Sequence, residues 1–355
     1  MTPVEPSTSR RPRRSRVGFV IYLVVLLLAT LEVVNVLRPG TLPLTPLSFL
    51  RASWAVATGG ELAHNEELSA KLAYQPTPYV MYRPKPNFTR KGEPLRTTNS
   101  LGFRGPEIEQ PKPAGRTRLL CLGGSTTYSF AVDDEHTYPV LLEQSLRERL
   151  PTVDLDVING GVESYTTAES LANLAHRGLD LAPDYVLIYH APNDVRPRRY
   201  ANFTSSYAHY RKSWNGSTAG ARRAGGELGG INALIQFPPP STDLSVDELL
   251  DRNAPIAYRR NLTSLVGVAR AHGIAPVFIT FAGHPEPGDV GLARGIEEHN
   301  QVMRALAEEL AVFTIDLAAQ FPADAALFAD DIHLLDDGNA LKAELLAEGL
   351  LPLLQ

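Results

Sequence analysis

Four short motifs supply residue types that suit acyl transfer. A serine preceded by two glycines stands at Ser125, a glycine pair ends at Gly161, an Asn-Asp pair begins at Asn193, and Asp330-Asp-Ile-His333 lies near the C-terminus. A serine hydroxyl is a poor nucleophile unless a base, usually histidine, removes its proton. A carboxylate then fixes the tautomer of the histidine and stabilises its protonated form. The three-residue spacing of Asp330 and His333 makes a hydrogen bond between them geometrically easy.

The remaining motifs contain candidate donors for a tetrahedral oxyanion. The backbone N–H groups of Ser125 and Gly161 and the side-chain amide of Asn193 are three such donors. Preorganised donors of this kind stabilise the charge that develops during acyl transfer. The spacing therefore predicts a serine hydrolase site.

Each motif follows a short apolar run that is typical of a buried strand, and helical patterns separate the runs. The predicted strands are Leu119–Leu122, Leu155–Ile158, Tyr185–Tyr189, Pro276–Thr280 and Val312–Ile315. Strands that alternate with helices indicate an α/β fold with a five-stranded parallel sheet covered on both faces. Ligands of such sheets bind at the carboxyl ends of the strands, where the motifs lie.

The order and spacing of these motifs resemble those of the SGNH hydrolases, also called GDSL esterases/lipases. The resemblance covers residues 117–355 and implies a flavodoxin-like α/β/α fold of three layers. It also implies that Ser125 is the nucleophile and that Asp330 and His333 complete the triad. Ser125, Gly161 and Asn193 then form the oxyanion hole.

Other histidines are weaker candidates for the base. His190 precedes the third motif and is a rival base, although the pattern favours a strand end or a substrate contact. His136, His284 and His299 lie outside the four motifs, and we predict that they are surface residues.

A metal or cofactor site is not predicted. The acids Asp194, Asp331, Asp336 and Asp337 are dispersed or consecutive, which is unlike the alternating positions of a cation-binding loop. The single Cys121 excludes an intrachain disulfide framework and a zinc site with several thiolates.

The N-terminus predicts a membrane anchor. Five arginines within residues 1–16 precede an apolar segment at 17–37, which at about 1.5 Å per residue could cross a hydrocarbon core of about 30 Å. The positive-inside rule keeps residues 1–16 in the cytoplasm and places the rest outside it. A cleaved signal peptide is the alternative, but no Ala-x-Ala-like site follows the apolar run. Thr98–Arg104 also resembles a lead-in segment of membrane-anchored SGNH members.

Composition divides the remaining chain. Proline is frequent in 38–116, which predicts a stalk and packing arm, and 117–355 is the predicted hydrolase domain. Within it, 196–250 is predicted to be an insertion, either a loop whose arginines and aromatics bind sugar rings or a solvated segment. Because residues 1–16 carry a net charge of +4 and the whole chain −5, residues 17–355 carry −9, which argues against broad nucleic-acid binding.

The expected function is hydrolysis of a carboxylic ester outside the cytoplasm, at the cell membrane. The candidate substrate is an acylated glycan or lipid, with O-acetyl groups of an envelope polysaccharide as the specific hypothesis. Two alternatives stay open. One is an O-acyltransferase that uses the same triad, and the other is a non-catalytic glycan-binding protein of envelope assembly.

Overall fold

The structure is a computed structural model, and it divides the chain into two compact units, Met1–Lys71 and Leu72–Gln355. The residues that it describes are 14–37, 73–77, 79–90, 94–211 and 239–355.

The first unit contributes one described element, helix α1 at Arg14–Leu37. Its side chains are described from 18 to 31. Across the described parts of the chain, no helix combines the length and the apolar content that a membrane span requires. The transmembrane anchor at 17–37 therefore stays a prediction.

The second unit begins with two short antiparallel strand pairs. Strand β1 (Tyr74–Pro76) pairs with β2 (Tyr82–Pro84), and β3 (Thr89–Arg90) pairs with β4 (Arg96–Thr97). These pairs lie in the predicted arm at 38–116, of which 38–72 fall outside the described residues.

A five-stranded parallel sheet follows, as predicted. Its strands are β5 (Thr117–Gly123), β6 (Leu155–Asn159), β7 (Tyr185–Tyr189), β8 (Ala275–Ile279) and β9 (Phe313–Ile315). Their spatial order is β6-β5-β7-β8-β9. This is the doubly wound order 2-1-3-4-5, which leaves a crevice between the carboxyl ends of β5 and β7.

Nine α-helices follow α1 among the described residues. They are α2 (Ser125–Tyr128), α3 (Tyr138–Arg149), α4 (Thr167–Asn173), α5 (Pro192–Arg198), α6 (Val246–Arg252), α7 (Ile256–Ala271), α8 (Val290–Leu310), α9 (Leu317–Gln320) and α10 (Asp336–Leu354).

The sheet is the middle of three layers. Leu119 and Cys121 of β5 point into one apolar core with side chains of α3 and α10. Leu120 and Leu122 point the other way, into a second core with side chains of α7 and α8. Successive strand residues face opposite sides of a sheet, so a strand of continuous apolar residues needs helices on both faces.

A buried ion pair secures the end of β5 that lies away from the motifs. The fully buried Arg118 guanidinium donates to the Asp156 carboxylate of β6 at 2.8 Å and to the Leu181 carbonyl at 2.8 Å. The Asp184 carboxylate accepts from the Arg118 backbone N–H at 2.7 Å. Because burial of a charge is costly without partners, these bonds satisfy what would otherwise be an unpaired cation.

The predicted insertion at 196–250 is described only at its two ends, since 212–238 fall outside the described residues. At the first end, Tyr207 and Tyr210 are buried and Arg211 pairs with Glu169 at 2.9 Å. These three side chains are packed against the domain.

Candidate active site

Ser125 lies at the crevice between β5 and β7. Strand β5 ends at Gly123, and Ser125 is the first residue of the short helix α2. Its hydroxyl oxygen Oγ lies 2.8 Å from Nε2 of His333, although 208 positions separate the two residues in sequence. The parallel topology brings them together because both follow the carboxyl ends of strands.

Asp330 fixes the opposite edge of the His333 ring. Oδ2 of Asp330 lies 2.7 Å from Nδ1 of His333. Oδ1 accepts the backbone N–H groups of Ile332 at 2.9 Å and of His333 at 2.8 Å. The side chain thus closes the turn that carries His333 and at the same time orients its imidazole.

The Asp330 carboxyl keeps its negative charge. Partial burial by itself raises the pKa of Asp330, but the hydrogen bond and the charge of His333 outweigh burial and hold the pKa well below its ordinary value. An ionised carboxylate at Nδ1 leaves Nε2 as the nitrogen that can accept a proton from Ser125.

Asn193 lies beside the nucleophile. Its side-chain Nδ2 donates to the Tyr165 carbonyl at 2.9 Å, and an amide nitrogen has a second N–H. Asn193, Gly124 and Ser125 line one small hollow. A Cβ atom at Gly124 would collide with the Asn193 amide, so the glycine allows this close approach.

Gly161 packs against helix α2. A Cβ atom here would lie 2.6 Å from the carbonyl carbon of Thr127, so any side chain would displace the helix that begins at Ser125. The Gly161 N–H donates to Oδ1 of Asn159 at 3.1 Å. An oxyanion would have to share or replace this bond, and the role of Gly161 as a donor stays a prediction.

His190 belongs to a separate buried group. Its Nε2 lies 2.8 Å from Oγ of Ser170, and its Nδ1 lies 3.9 Å from Oδ2 of Asp194. Burial lowers the pKa of His190 to about 4 and raises that of Asp194 to about 7. Asp194 also accepts from the hydroxyl groups of Thr167 at 2.6 Å and Tyr207 at 3.1 Å. As expected for a residue at a strand end, His190 directly follows β7.

The prediction that His299 is a surface residue is wrong. Its side chain is fully buried and stacks on Tyr258, with the ring centroids 4.1 Å apart. Its Nδ1 contacts the Ala191 carbonyl at 3.1 Å. His299 falls on the apolar face of helix α8, together with the buried residues Ile296 and Met303. Of the other two, His136 is partly exposed and His284 is half-buried against Phe328.

Two neighbours of the site were not singled out from the sequence. The ring of Phe130, in the loop after α2, lies 5.7 Å from the His333 ring. The guanidinium carbon of Arg96, from β4, lies over the Phe130 ring, 4.3 Å from its centroid. Neither residue stands in a motif with catalytic spacing, so only the folded chain reveals the contact.

The described residues contain no group of three or more His, Cys, Asp or Glu side chains that could hold a metal ion.

Comparison with known families agrees with this geometry. Residues 121–341 match the model of the GDSL-like lipase/acylhydrolase family. The chain belongs to this family. It is an SGNH-type ester hydrolase, and the match includes every residue of the candidate site.

Solved structures with a similar fold include three esterases or hydrolases. The α/β hydrolase LAE5 from the metagenome of Lake Arreo, Spain, is 19% identical, with 66% of this chain and 94% of that chain covered and a TM-score of 0.45. The acetylxylan esterase Axe2 of Geobacillus stearothermophilus is 19% identical over 66% and 94%, with a TM-score of 0.44. The lipase/acylhydrolase of Enterococcus faecalis is 18% identical over 67% and 97%, with a TM-score of 0.42. No curated protein matches the sequence.

We expect Asp330→Asn to lower the plateau value of kcat/KM by about 10²- to 10⁴-fold. The Asp330 carboxylate lies 2.7 Å from Nδ1 of His333 and fixes the tautomer in which Nε2 accepts the Ser125 proton. An amide in its place does not enforce that tautomer. Ester hydrolysis measured from pH 4 to pH 9 gives the plateau value.

Asp331→Asn is the matched control for this measurement. The Asp331 carboxylate accepts from the backbone N–H groups of Gly288 and Asp289, both at 2.8 Å, rather than from His333. Its plateau rate should stay close to that of the wild type. A rate that falls equally in the two variants would contradict the assignment of Asp330.

Proposed function

We propose that this GDSL-like hydrolase cleaves esters with Ser125 as nucleophile, His333 as general base and Asp330 as the residue that orients the base. The observation that carries the proposal is the continuous chain of contacts from Asp330 through His333 to Ser125, at 2.7 and 2.8 Å. Such distances lie within the range for proton transfer.

The reaction proceeds through an acyl-enzyme. Oγ of Ser125 attacks the acyl carbon while its proton moves to Nε2 of His333. When the tetrahedral intermediate collapses, the ester C–O bond breaks and the alcohol leaves with that proton. Water then attacks the acyl carbon, gives a proton to His333 and releases the acid, and the proton returns to Ser125.

The oxyanion donors in this proposal are the Ser125 and Gly161 N–H groups and the second N–H of Asn193. Support for Asn193 comes from its first N–H, which is held by the Tyr165 carbonyl at 2.9 Å and so fixes the direction of the amide. A donor that is oriented before the reaction needs no reorganisation when charge develops.

A fluorophosphonate probe tests the nucleophile. The wild type should be labelled at Ser125, whereas Ser125→Ala should keep its fold and lose both labelling and esterase activity. Removal of a small, partly exposed hydroxyl disturbs no apolar core. Mass spectrometry of the labelled peptide identifies the modified serine.

Ser170→Ala is the control, since Oγ of Ser170 also lies within hydrogen-bond distance of a histidine, 2.8 Å from Nε2 of His190. This variant should still be labelled. Labelling that survives in Ser125→Ala and disappears in Ser170→Ala would transfer the nucleophile to the buried group of His190 and reject the proposal.

The acyl group is proposed to be acetyl. The hollow beside Ser125 has a volume of about 10 Å³ and is lined by Asn193, Ala191, Pro192 and Ile332 among others. A cavity of this size holds about one water-sized group, which corresponds to the methyl of an acetyl ester.

An acetyl substrate also favours a glycan over a lipid as the alcohol partner. Esters of membrane lipids carry long acyl chains, and the small hollow beside Ser125 matches an acetyl group better than such a chain. O-acetyl groups of an envelope polysaccharide combine a small acyl group with the extracytoplasmic location proposed from the N-terminus.

Activity on p-nitrophenyl esters of increasing chain length tests the acyl group. We expect kcat/KM to fall at least about 10-fold from acetate to butyrate, because a pocket excludes each additional methylene by that order of magnitude. Ile332→Val should narrow the difference, since it removes a methyl group from the wall of the hollow.

Equal rates on acetate and octanoate would reject the acetyl proposal. They would instead implicate the cavity of about 270 Å³ that includes Phe281, Leu292 and Phe321. Asp331, adjacent to the triad residue Asp330, also lines that cavity.

The N-terminal segment at 17–37 is proposed to anchor the enzyme in the cell membrane, with residues 38–355 outside the cytoplasm. The described apolar side chains of helix α1 support the proposal, since Phe19, Tyr22 and Leu27 are each about 60% exposed and would otherwise face water. The arginines of 1–16 would stay on the cytoplasmic side.

Membrane fractionation tests the anchor. The full chain should sediment with membranes and resist extraction by carbonate, whereas a chain that begins at Arg38 should be soluble and active. Protease added to intact spheroplasts should digest the full-length protein. Protection from that protease would contradict the proposed orientation, and membrane retention of the shortened chain would contradict 17–37 as the anchor.

A further inference from the structure

The segment 94–104, which precedes the five-stranded sheet, is hydrogen-bonded to the loop that follows the nucleophile. Arg104 is fully buried, and its guanidinium donates to the carbonyl oxygens of Tyr128, Ser129 and Val132 at 2.6–2.7 Å. Its Nε also pairs with the Asp134 carboxylate at 2.7 Å. These bonds fix the path of the loop 128–134.

Phe130 lies in this loop and touches the active-site histidine. The centroids of the Phe130 and His333 rings are 5.7 Å apart, and the ring planes are inclined by 48°. The two hydrogen bonds of His333, to Asp330 and Ser125, act at opposite edges of the imidazole. Hydrogen bonds at these two edges do not by themselves fix the tilt of the imidazole plane, and a neighbouring aromatic ring restricts that tilt.

Arg96 in turn holds Phe130. Its guanidinium carbon lies 4.3 Å from the Phe130 centroid, and its Nη1 lies 3.4 Å from the Phe130 carbonyl. The residue is 5% exposed. Among the described residues, the buried Nε of Arg96 has no hydrogen-bond partner.

The charge of Arg96 is balanced by Glu163 rather than left for a ligand. Nη1 of Arg96 and Oε1 of Glu163 are 3.5 Å apart, and both side chains are at least nine-tenths buried. This long ion pair and the π face of Phe130 are the main partners of a desolvated guanidinium. The Arg96 guanidinium is thus buried next to the site, with partners from the protein itself.

We infer that Arg96 is a positioning residue of the hydrolase, which holds the ring of Phe130 against His333 and thereby keeps the imidazole aligned between Asp330 and Ser125. The inference rests on the proposed role of His333 as the base. It assigns part of the catalytic geometry to a residue that lies before the family match at 121–341.

A double-mutant cycle between Arg96 and Phe130 tests the inference. Arg96→Met keeps the length of the side chain but removes the cation, and Phe130→Leu keeps an apolar side chain but removes the ring. Each single variant should lower kcat on p-nitrophenyl acetate about 10-fold, with KM within about 2-fold of the wild type, because small misalignments of a catalytic group act on the chemical step. The double variant should be no slower than Phe130→Leu, since both changes act through one ring.

Conservative variants at the same two positions should restore kcat. Phe130→Tyr keeps the ring and Arg96→Lys keeps a cation, so both should retain most of the wild-type kcat. Arg116→Met is the matched control, since Arg116 forms ion pairs with Asp154 and Glu109 at the opposite end of β5. Rates are expressed per active serine titrated with fluorophosphonate, so that a loss of folded protein does not count as a loss of kcat.

Several results would overturn the inference. Wild-type kcat in Arg96→Met, or two single effects that multiply in the double variant, would mean that Arg96 does not act through Phe130. If Arg96→Met does not fold, equal kcat values for Phe130→Leu and Phe130→Tyr overturn it on their own. Failure of the proposed function has a different signature, because Ser125→Ala would then retain activity and labelling whatever the cycle shows.

Discussion

The close approach of two glycines to their neighbours at the carboxyl edge of the sheet is the constraint on which the site depends. The turn after β5 must accept the Asn193 amide against Gly124, and helix α2 must accept Gly161 against the backbone of Thr127. A side chain at either glycine would push α2 away and carry Ser125 out of reach of His333. The 2.8 Å contact between Ser125 and His333 is therefore set by packing on both sides of α2, and catalytic side chains alone would not produce it.

Burial separates two groups that have the same chemical composition. Ser125, His333 and Asp330 are partly accessible, and the Asp330 carboxyl stays ionised because the hydrogen bond and charge of His333 outweigh the effect of burial on its pKa. Ser170, His190 and Asp194 also combine a serine, a histidine and an acid, yet all three are buried. Burial there lowers the pKa of His190 to about 4 and raises that of Asp194 to about 7, which favours the neutral form of each. The buried group suits a structural network, whereas the accessible group can take up and release a proton.

The sequence was informative wherever function and local pattern coincide. Continuous apolar runs predicted all five strands, because a parallel strand covered on both faces cannot alternate with polar residues. The positions of the motifs after the strands predicted that Ser125, His333 and Asp330 lie at one edge of the sheet, where hydrogen bonds join them. Features that depend on distant packing were not predictable. The burial of His299, on helix α8, follows from its stacking on Tyr258, which is far away in sequence.

The contacts of 94–104 also depend on packing between distant segments, and they decide which residues belong to the hydrolase fold. The compact unit begins at Leu72, well before the family match at residue 121. Arg104 donates to three carbonyl groups at and after the end of α2, and an unsatisfied buried carbonyl is costly. Removal of the segment would take these donors away from the loop directly behind the nucleophile. The residues that precede the sheet are therefore part of the hydrolase fold, and the loop that contacts His333 cannot be considered without them.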